Sequence, residues 1–551
     1  MRVLASVLVV CGLLTAREPV RFRHGMVVAQ EPNAADVGAA VLKSGGNAVD
    51  AAVAVALALA VTHSSAGNIG GGGFLLLRAA NGEATFFDFR EKAPLAATHD
   101  MYLDAGGKPT RDSIEGWRAS GVPGTVRGLE AAHRKFGKRD WAELVQPAIK
   151  LAADGYEVSY GQARSFRGSK MLAKFAESRR VFQHDDVFIE PGERLYQPEL
   201  AATLRRIAAD GAKGFYEGET ARILTEEMRK NGGLITEEDL RQYQAVERKP
   251  LRGAYKGFEI ITAPPPSSGG LGLLQMLAVL DGSGYEKSGF ESAQTIHWEA
   301  EVMRRYYADR SEFLGDPDFF KVPTKGLLDP RYIEKLRASI DPAKASKSVE
   351  VKPGTPRDYE STETTHFSIV DAEGNAVAMT YTLNGSFGSG VTVPGLGFLL
   401  NNEMDDFAAK PGEPNMFGLV QGESNAVQPS KRPLSSMTPT IIAKDGKPYL
   451  VVGAPGGGRI ITGVTQVILN VLDFGMNVQE AIDAPRLHHQ WMPDELMLEK
   501  GFSPDTIALL EAKGHVIKQI DSVAVVEAVR VNGEWLEGGT DGRGRGKVAG
   551  Y

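Results

Sequence analysis

From Glu360 to Ser368 the chain reads ESTETTHFS, with two threonines, Thr364 and Thr365, side by side where a strand should begin. A threonine hydroxyl is a weak nucleophile until a base takes its proton. Strand geometry sends alternate side chains to opposite faces. Thr365, Phe367 and Ile369 then share an apolar face, while Thr364, His366 and Ser368 share a polar one. Thr364 is therefore expected to look toward a polar cleft, and Thr365 to pack. Threonine is also a good strand former, and this local pattern by itself favours that plain role. The glycines of APGGG, from Ala454 to Gly458, do not form a phosphate loop, because no GK[ST] follows them. His488 and His489 stand near Asp494 and Glu495, but adjacent strand residues point opposite ways and would seldom share one metal. The ten histidines show no other metal-ligand spacing. His366 is expected to be structural.

The elements that must position these residues can be read from periodicity. Residues 33–43 and 47–63 predict two helices separated by Ser44-Gly45-Gly46. The second is almost wholly apolar and rich in Ala and Val, so it should be buried against a sheet, and it is too short to span a bilayer. Four glycines, Gly70 to Gly73, run into a strand, and residues 84–88 pair back across an Asn81-Gly82 turn. Helices are expected at 126–136, 142–154, 198–209 and 303–310. The stretch 340–361 has no core pattern and reads as exposed. Strands follow at 365–370, 376–381, 440–443 and 449–452, separated by turns at 373–375 and 445–446. A helix-rich half followed by a strand-rich half favours one large layered α/β fold over independent domains.

Composition bounds the function. The chain has 551 residues, 42% hydrophobic and 24% charged, which is a soluble globular balance. A net charge of −7 argues against a nucleic-acid partner. The basic tail GRGRGK, Gly542 to Lys547, reads as a flexible end or loop. The single cysteine, Cys11, excludes an intrachain disulfide framework and a cysteine metal site. It lies in MRVLASVLVVCGLLTAREP, and residues 1–19 read as a signal peptide whose apolar run is too short for a transmembrane span. Its removal would leave a cysteine-free chain, compatible with a periplasmic or secreted location.

Nine motifs, in order, carry a resemblance that runs from about residue 25 to the C-terminus. They are GGNAVDAA (45–52), NIGGGGF (68–74), DFREKAP (88–94), PPPSSGG (264–270), TTHFS (364–368), TYTLN (380–384), NNEMDDF (401–407), KRPLSSMTPT (431–440) and GAPGGGRIIT (453–462). On them the chain resembles the γ-glutamyltranspeptidase (glutathione hydrolase) family of N-terminal-nucleophile hydrolases. The resemblance implies a four-layer αββα sandwich. It also implies a precursor that cuts itself between Glu363 and Thr364, giving a large subunit, 20–363, and a small one, 364–551. Thr364 would be the nucleophile and its freed amine the base. Thr382 would bond to it, and Gly456 and Gly457 would supply the oxyanion hole. Arg90, Ser435 and Ser436 would hold the α-carboxylate of a γ-glutamyl donor. Asn384, Glu403 and Asp406 would hold its ammonium on the other side of the pocket. The segment 409–422 resembles a lid loop, with Phe417 where a tyrosine often stands. No cofactor or metal is implied. The implied partners are glutathione and other γ-glutamyl compounds, with amino-acid or dipeptide acceptors.

Two other readings compete. A glutaryl-type cephalosporin acylase of the same superfamily would have no use for an ammonium pocket, so Asn384 and Asp406 weigh against it. An inactive binding protein with this fold would lack the nucleophile or the oxyanion glycines, and both are in the sequence.

Overall fold

The apolar run from Ala48 to Val61 needs cover on every side, and a four-layer fold provides it. In the computed structural model, which describes residues 17–352, 365–413, 416 and 422–551, α1 (Pro32–Lys43) leads into α2 (Ala48–Thr62), all of whose residues are buried. Asn47 caps α2 in a box with Asp50, satisfying the free N–H groups of its first turn.

The strands of the two main sheets, in chain order, are β1 (Val20–Phe22), β2 (Met26–Ala29), β3 (Gly72–Arg78), β4 (Ala84–Phe89), β5 (Val246–Arg248), β6 (Leu251–Tyr255), β7 (Phe258–Thr262), β8 (Thr365–Val370), β9 (Ala376–Thr382), β10 (Thr440–Lys444), β11 (Lys447–Gly453), β12 (Glu527–Asn532), β13 (Trp535–Thr540) and β14 (Lys547–Gly550). They form two seven-stranded sheets, ordered β14-β2-β8-β9-β3-β4-β5 and β1-β13-β12-β11-β10-β7-β6.

The continuous apolar run of β3 is explained by burial on both faces. Leu75 and Leu77 join the core under α2, while Phe74 and Leu76 face the second sheet. β8 divides the same way: Phe367 and Ile369 face the helices, whereas His366 and Ser368 face β11 and β12. The polar and apolar faces expected for this strand are therefore the inter-sheet and helix-facing sides. α3 (Thr125–Phe136), α4 (Trp141–Ala153) and α5 (Pro198–Asp210) complete the layer around α2. On the far side α6 (Gly269–Leu280), α7 (Ala293–Phe313) and α8 (Arg459–Leu472) cover the second sheet.

Two sequence expectations are corrected. The described part of the 340–361 stretch is not simply exposed. Ile340, Ala345 and Ser348 are buried. Trp491 donates its indole N–H to the carbonyls of Ser348 and Val351, and Asp494 accepts the Ser348 N–H at 2.7 Å. The C-terminal GRGRGK is not a loose end either. Arg543 is paired with Glu499 and Asp541, and Lys547 opens β14, which pairs with β2. Both segments lack an apolar period because long-range polar contacts hold them. The helix expected at 303–310 runs from Ala293 to Phe313, its N-terminal extension capped by Ser292.

Candidate active site

Six strands end or begin at one edge of the facing sheets. β2 ends at Ala29, β4 at Phe89, β9 at Thr382 and β11 at Gly453, and β3 and β8 start at Gly72 and Thr365. Register enforces this: Thr365 pairs with Tyr381, Thr382 with Gly72, and Gly73 with Phe89. Thr364 and the bond before it lie outside the described residues. Thr365 packs, fully buried, with its Oγ1 donating to Gln30 Oε1 at 3.1 Å.

His366 is a structural residue. Its ring bonds Thr380 Oγ1 at 2.8 Å and Ser368 Oγ at 3.0 Å. Burial lowers its pKa to about 3, so it stays neutral near physiological pH. Gly453 lets the two sheets approach here, since a Cβ at that position would lie 2.4 Å from the imidazole Cε1. Thr382 shares the inter-sheet face with Thr380. Its Oγ1 accepts the Asn384 N–H at 2.7 Å, and its carbonyl accepts from Asn68 Nδ2 at 2.7 Å. Asn384 sits at φ 74°, a left-handed conformation that asparagine tolerates better than most residues. Its amide donates to the Asn402 carbonyl at 3.1 Å.

Beyond Gly453 the chain turns through Gly456 and Gly457 into α8, at φ 137° and 59°. Both values favour glycine. Tyr307 fixes the turn by donating to the Gly458 carbonyl. Among the described residues nothing accepts from the Gly456 or Gly457 N–H, so two backbone donors are available ahead of a long helix.

Arg90 follows β4 and is 1% exposed. Its guanidinium pairs with Glu403 and with Asp406, lies 3.6 Å from Glu91, and also donates to the carbonyls of Pro433 and Leu434. The sequence reading set the cation and the two carboxylates on opposite sides of a pocket; here they touch. Direct pairing offsets the desolvation cost that buried charges otherwise carry. The balance is uneven, with three carboxylates around one guanidinium. Burial pushes the Glu91 carboxyl up to about 7 and Glu403 well above its ordinary range, although Arg90 pulls both down. Burial works against the Arg90 charge too, but Glu403, Asp406 and Glu91 outweigh it and raise its pKa. Such a cluster can exchange partners with a zwitterionic head group, whose carboxylate suits the guanidinium and whose ammonium suits the surplus acid.

Ser435 and Ser436 come directly after Leu434. Ser268 Oγ donates to the Ser435 carbonyl at 2.7 Å and lies 3.4 Å from Ser436 Oγ. Asp405 is held apart by Ser113, which donates to it at 2.7 Å. Phe417 lies outside the described residues. The neighbouring Met416 N–H donates to Asp405 at 3.2 Å, so this part of the loop rests beside the cluster.

Sequence reasoning quoted but did not assign several supporting residues. Asp88, first in DFREKAP, accepts from the Arg90 N–H and from Arg248, and lies 3.3 Å from Arg432. It thereby ties β4 to the loop that carries the serines. Asn68, in NIGGGGF, bonds Gly71, Thr125 and Thr382. Their polar character inside glycine-rich or apolar strings was the available signal.

His297 and Glu301, four residues apart on one face of α7, come together with the distant His515. Glu301 is held by Arg304 and Arg305, which bring its pKa down to about 2 against the effect of burial. With two guanidiniums on its only carboxylate, this cluster is an ion network and a poor cation site.

The family model described as γ-glutamyltranspeptidase matches residues 34–551, and the chain belongs to that family. It is 51% identical over 530 residues to a glutathione hydrolase proenzyme of Escherichia coli, covering 95% of this chain and 91% of the relative. Among solved structures, cephalosporin acylase from Bacillus halodurans aligns with a TM-score of 0.86 at 28% identity over 97% of each chain. A Helicobacter pylori γ-glutamyltranspeptidase chain aligns with a TM-score of 0.60 at 44% identity, over 60% of this chain and 96% of that one.

Proposed function

We propose that this enzyme transfers γ-glutamyl groups from glutathione and related compounds to water or to the amine of an amino acid or dipeptide, and that Thr364 carries the group. The observation that carries this reading is the buried, acid-rich cluster around Arg90, set at the same edge as Thr382 and the Gly456-Gly457 turn. In the precursor, Thr364 Oγ attacks the Glu363 carbonyl, and water then hydrolyses the resulting ester. This frees a large subunit, 20–363, and a small one, 364–551. The new α-amine has an ordinary pKa of about 7.7 to 8.0 and can take the hydroxyl proton of its own residue. Thr382, one position beyond the Tyr381 that pairs with Thr365, is the hydroxyl that orients the nucleophile.

In turnover, Thr364 Oγ bonds to the γ-carbonyl carbon, the oxyanion rests on the Gly456 and Gly457 N–H groups, and the amide C–N bond breaks as the departing amine takes a proton. Arg90, with Ser435 and Ser436, holds the donor carboxylate. Asn384, Glu403 and Asp406 hold its ammonium. Export to the periplasm or medium follows from the N-terminal signal. No described helix is long and apolar enough to cross a membrane. The acylase alternative shares the fold but leaves the acidic surplus without a use.

The test is the intact mass of the wild-type protein beside Thr364→Ala. Two wild-type chains, one beginning at Thr364, and an uncut, inactive variant are expected. An uncut wild type, or a variant that still cuts at the same bond, would overturn the assignment.

A further inference from the structure

A second set of cations lies on the other side of the β8 start from Arg90. In the first sheet β8 stands between β2 and β9, and Arg90 lies beyond β9 and β3, at the end of β4. On the β2 side, a cavity of about 330 Å³ opens next to Gln30, the residue that bonds Thr365. Gly456 lines the same cavity, together with His63, Arg459 and Arg545. Among the described residues neither arginine is paired with a carboxylate. Arg459 donates to the Ser522 carbonyl at 2.9 Å, and Arg545 donates to Ser159 Oγ. Partial desolvation disfavours the charge on both, Arg459 being half-buried and Arg545 exposed at the cavity rim. Among the described residues His63 Nδ1 has no hydrogen-bond partner, and burial lowers its pKa to about 4, so it faces the cavity as a neutral ring.

The contrast with the Arg90 cluster is one of charge. That cluster has acid in surplus and suits an ammonium, whereas this cavity offers two guanidiniums that no carboxylate among the described residues pairs with, and suits an anion. A γ-glutamyl amide whose head group occupies the Arg90 cluster, with its carbonyl at the start of β8, directs the other half of the molecule past Gly456 toward the cavity. We infer that Arg459 and Arg545 form a subsite for the free carboxylate of the peptide on the far side of the γ-glutamyl bond. This rests on the γ-glutamyl transfer reading above. The same carboxylate chemistry is presented by the departing cysteinylglycine and by an incoming dipeptide.

Glutathione and its C-terminal amide separate the terms, assayed with the self-cleaved enzyme, Arg459→Gln, Arg545→Gln and Arg545→Lys. The wild type should prefer the free acid by about tenfold in kcat/KM, as expected for one charge-assisted contact. Either glutamine variant should bring the ratio of acid to amide near one, and Arg545→Lys should restore part of it. Glycylglycine against glycylglycinamide, as acceptors from a γ-glutamyl anilide, gives the acceptor arm. A changed ratio only in the first pair assigns the subsite to the departing peptide, and only in the second to the acceptor. Unchanged ratios in both pairs overturn the subsite. A wild type that cannot cleave the anilide overturns the reading on which the subsite rests, and so is distinguishable.

Discussion

Two buried ion clusters in this molecule differ in their balance. Around Arg90, three carboxylates face one guanidinium, and two of them, Glu91 and Glu403, are pushed toward the protonated form. Near the C-terminus, Arg486 and Arg543 face Asp541 and Glu499, two against two. There Asp541 is held below its ordinary range, because the two arginines outweigh burial. The second cluster ties β13 and the chain after it to the loop before residue 487 and has no charge to spare. The first carries strain in its charge balance, and a ligand with an ammonium group would relieve it. Both are largely buried, with Arg543 at 18% side-chain exposure the most open member, so burial does not separate site from scaffold; stoichiometry does.

Substituting the two arginines should break the comparison most sharply. Arg486→Gln strips one oxygen of the buried Asp541 of its guanidinium and leaves Arg543 alone against two carboxylates, and the protein should lose up to about 3–5 kcal/mol of stability, read by denaturant unfolding, while the folded fraction keeps its donor KM. Arg90→Gln removes the guanidinium that pairs with Glu403 and Asp406 in an acid-rich site, and kcat/KM for γ-glutamyl donors should fall by about a hundredfold or more. Similar losses of stability and similar kinetics for the two variants would mean that both clusters are scaffold.

A smaller effect tests the surplus acid directly. Asp406→Ala should cost γ-glutamyl turnover about tenfold to a hundredfold more than turnover of the matching glutaryl amide, which lacks the ammonium. Equal losses would favour the dicarboxylic acylase reading.

The pH dependence should be gentler still, and of opposite sign in the two clusters. Glu91 has its pKa raised to about 7, so its negative charge, beside the Glu403 and Asp406 that hold the ammonium, is fully present only above that value. Donor KM should therefore fall as pH rises through about 7. Because the raised pKa opposes ionisation in the folded state, this group's contribution to stability declines as pH rises from the ordinary carboxylate range to about 7 and is level above it. Asp541 works the other way. Its lowered pKa contributes stability above the ordinary carboxylate range, and this is lost as pH falls through its folded value. A donor KM flat between pH 6 and 8 would remove Glu91 from the binding argument.

Much was legible in the chain because it depends on local pattern. Alternation along β8 placed His366 and Ser368 on the polar, inter-sheet face and Phe367 and Ile369 on the apolar one. The Ala- and Val-rich run of α2 announced a helix enclosed on all sides. Ordered motifs were enough for the family, the layered fold and a set of candidate residues, most of which meet at one edge. Misread segments were those held by distant partners. The stretch after Ile340 is fastened by Trp491 and Asp494, and the basic tail by Glu499 and β2. Neither dependence leaves a period in the sequence.

The sequence by itself determined which side chains are available and on which face of their strands they stand, because pleat and helical repeat are properties of neighbouring residues. Only the tertiary structure decided that Arg90 touches Glu403 and Asp406 rather than facing them across a pocket, since pairing buried charges is settled by desolvation in three dimensions. It also decided that Arg459 and Arg545, 86 positions apart by their numbers (545 − 459), share one cavity beside Gly456. That meeting follows from sheet order, which brings the ends of β2 and β11 to the same edge.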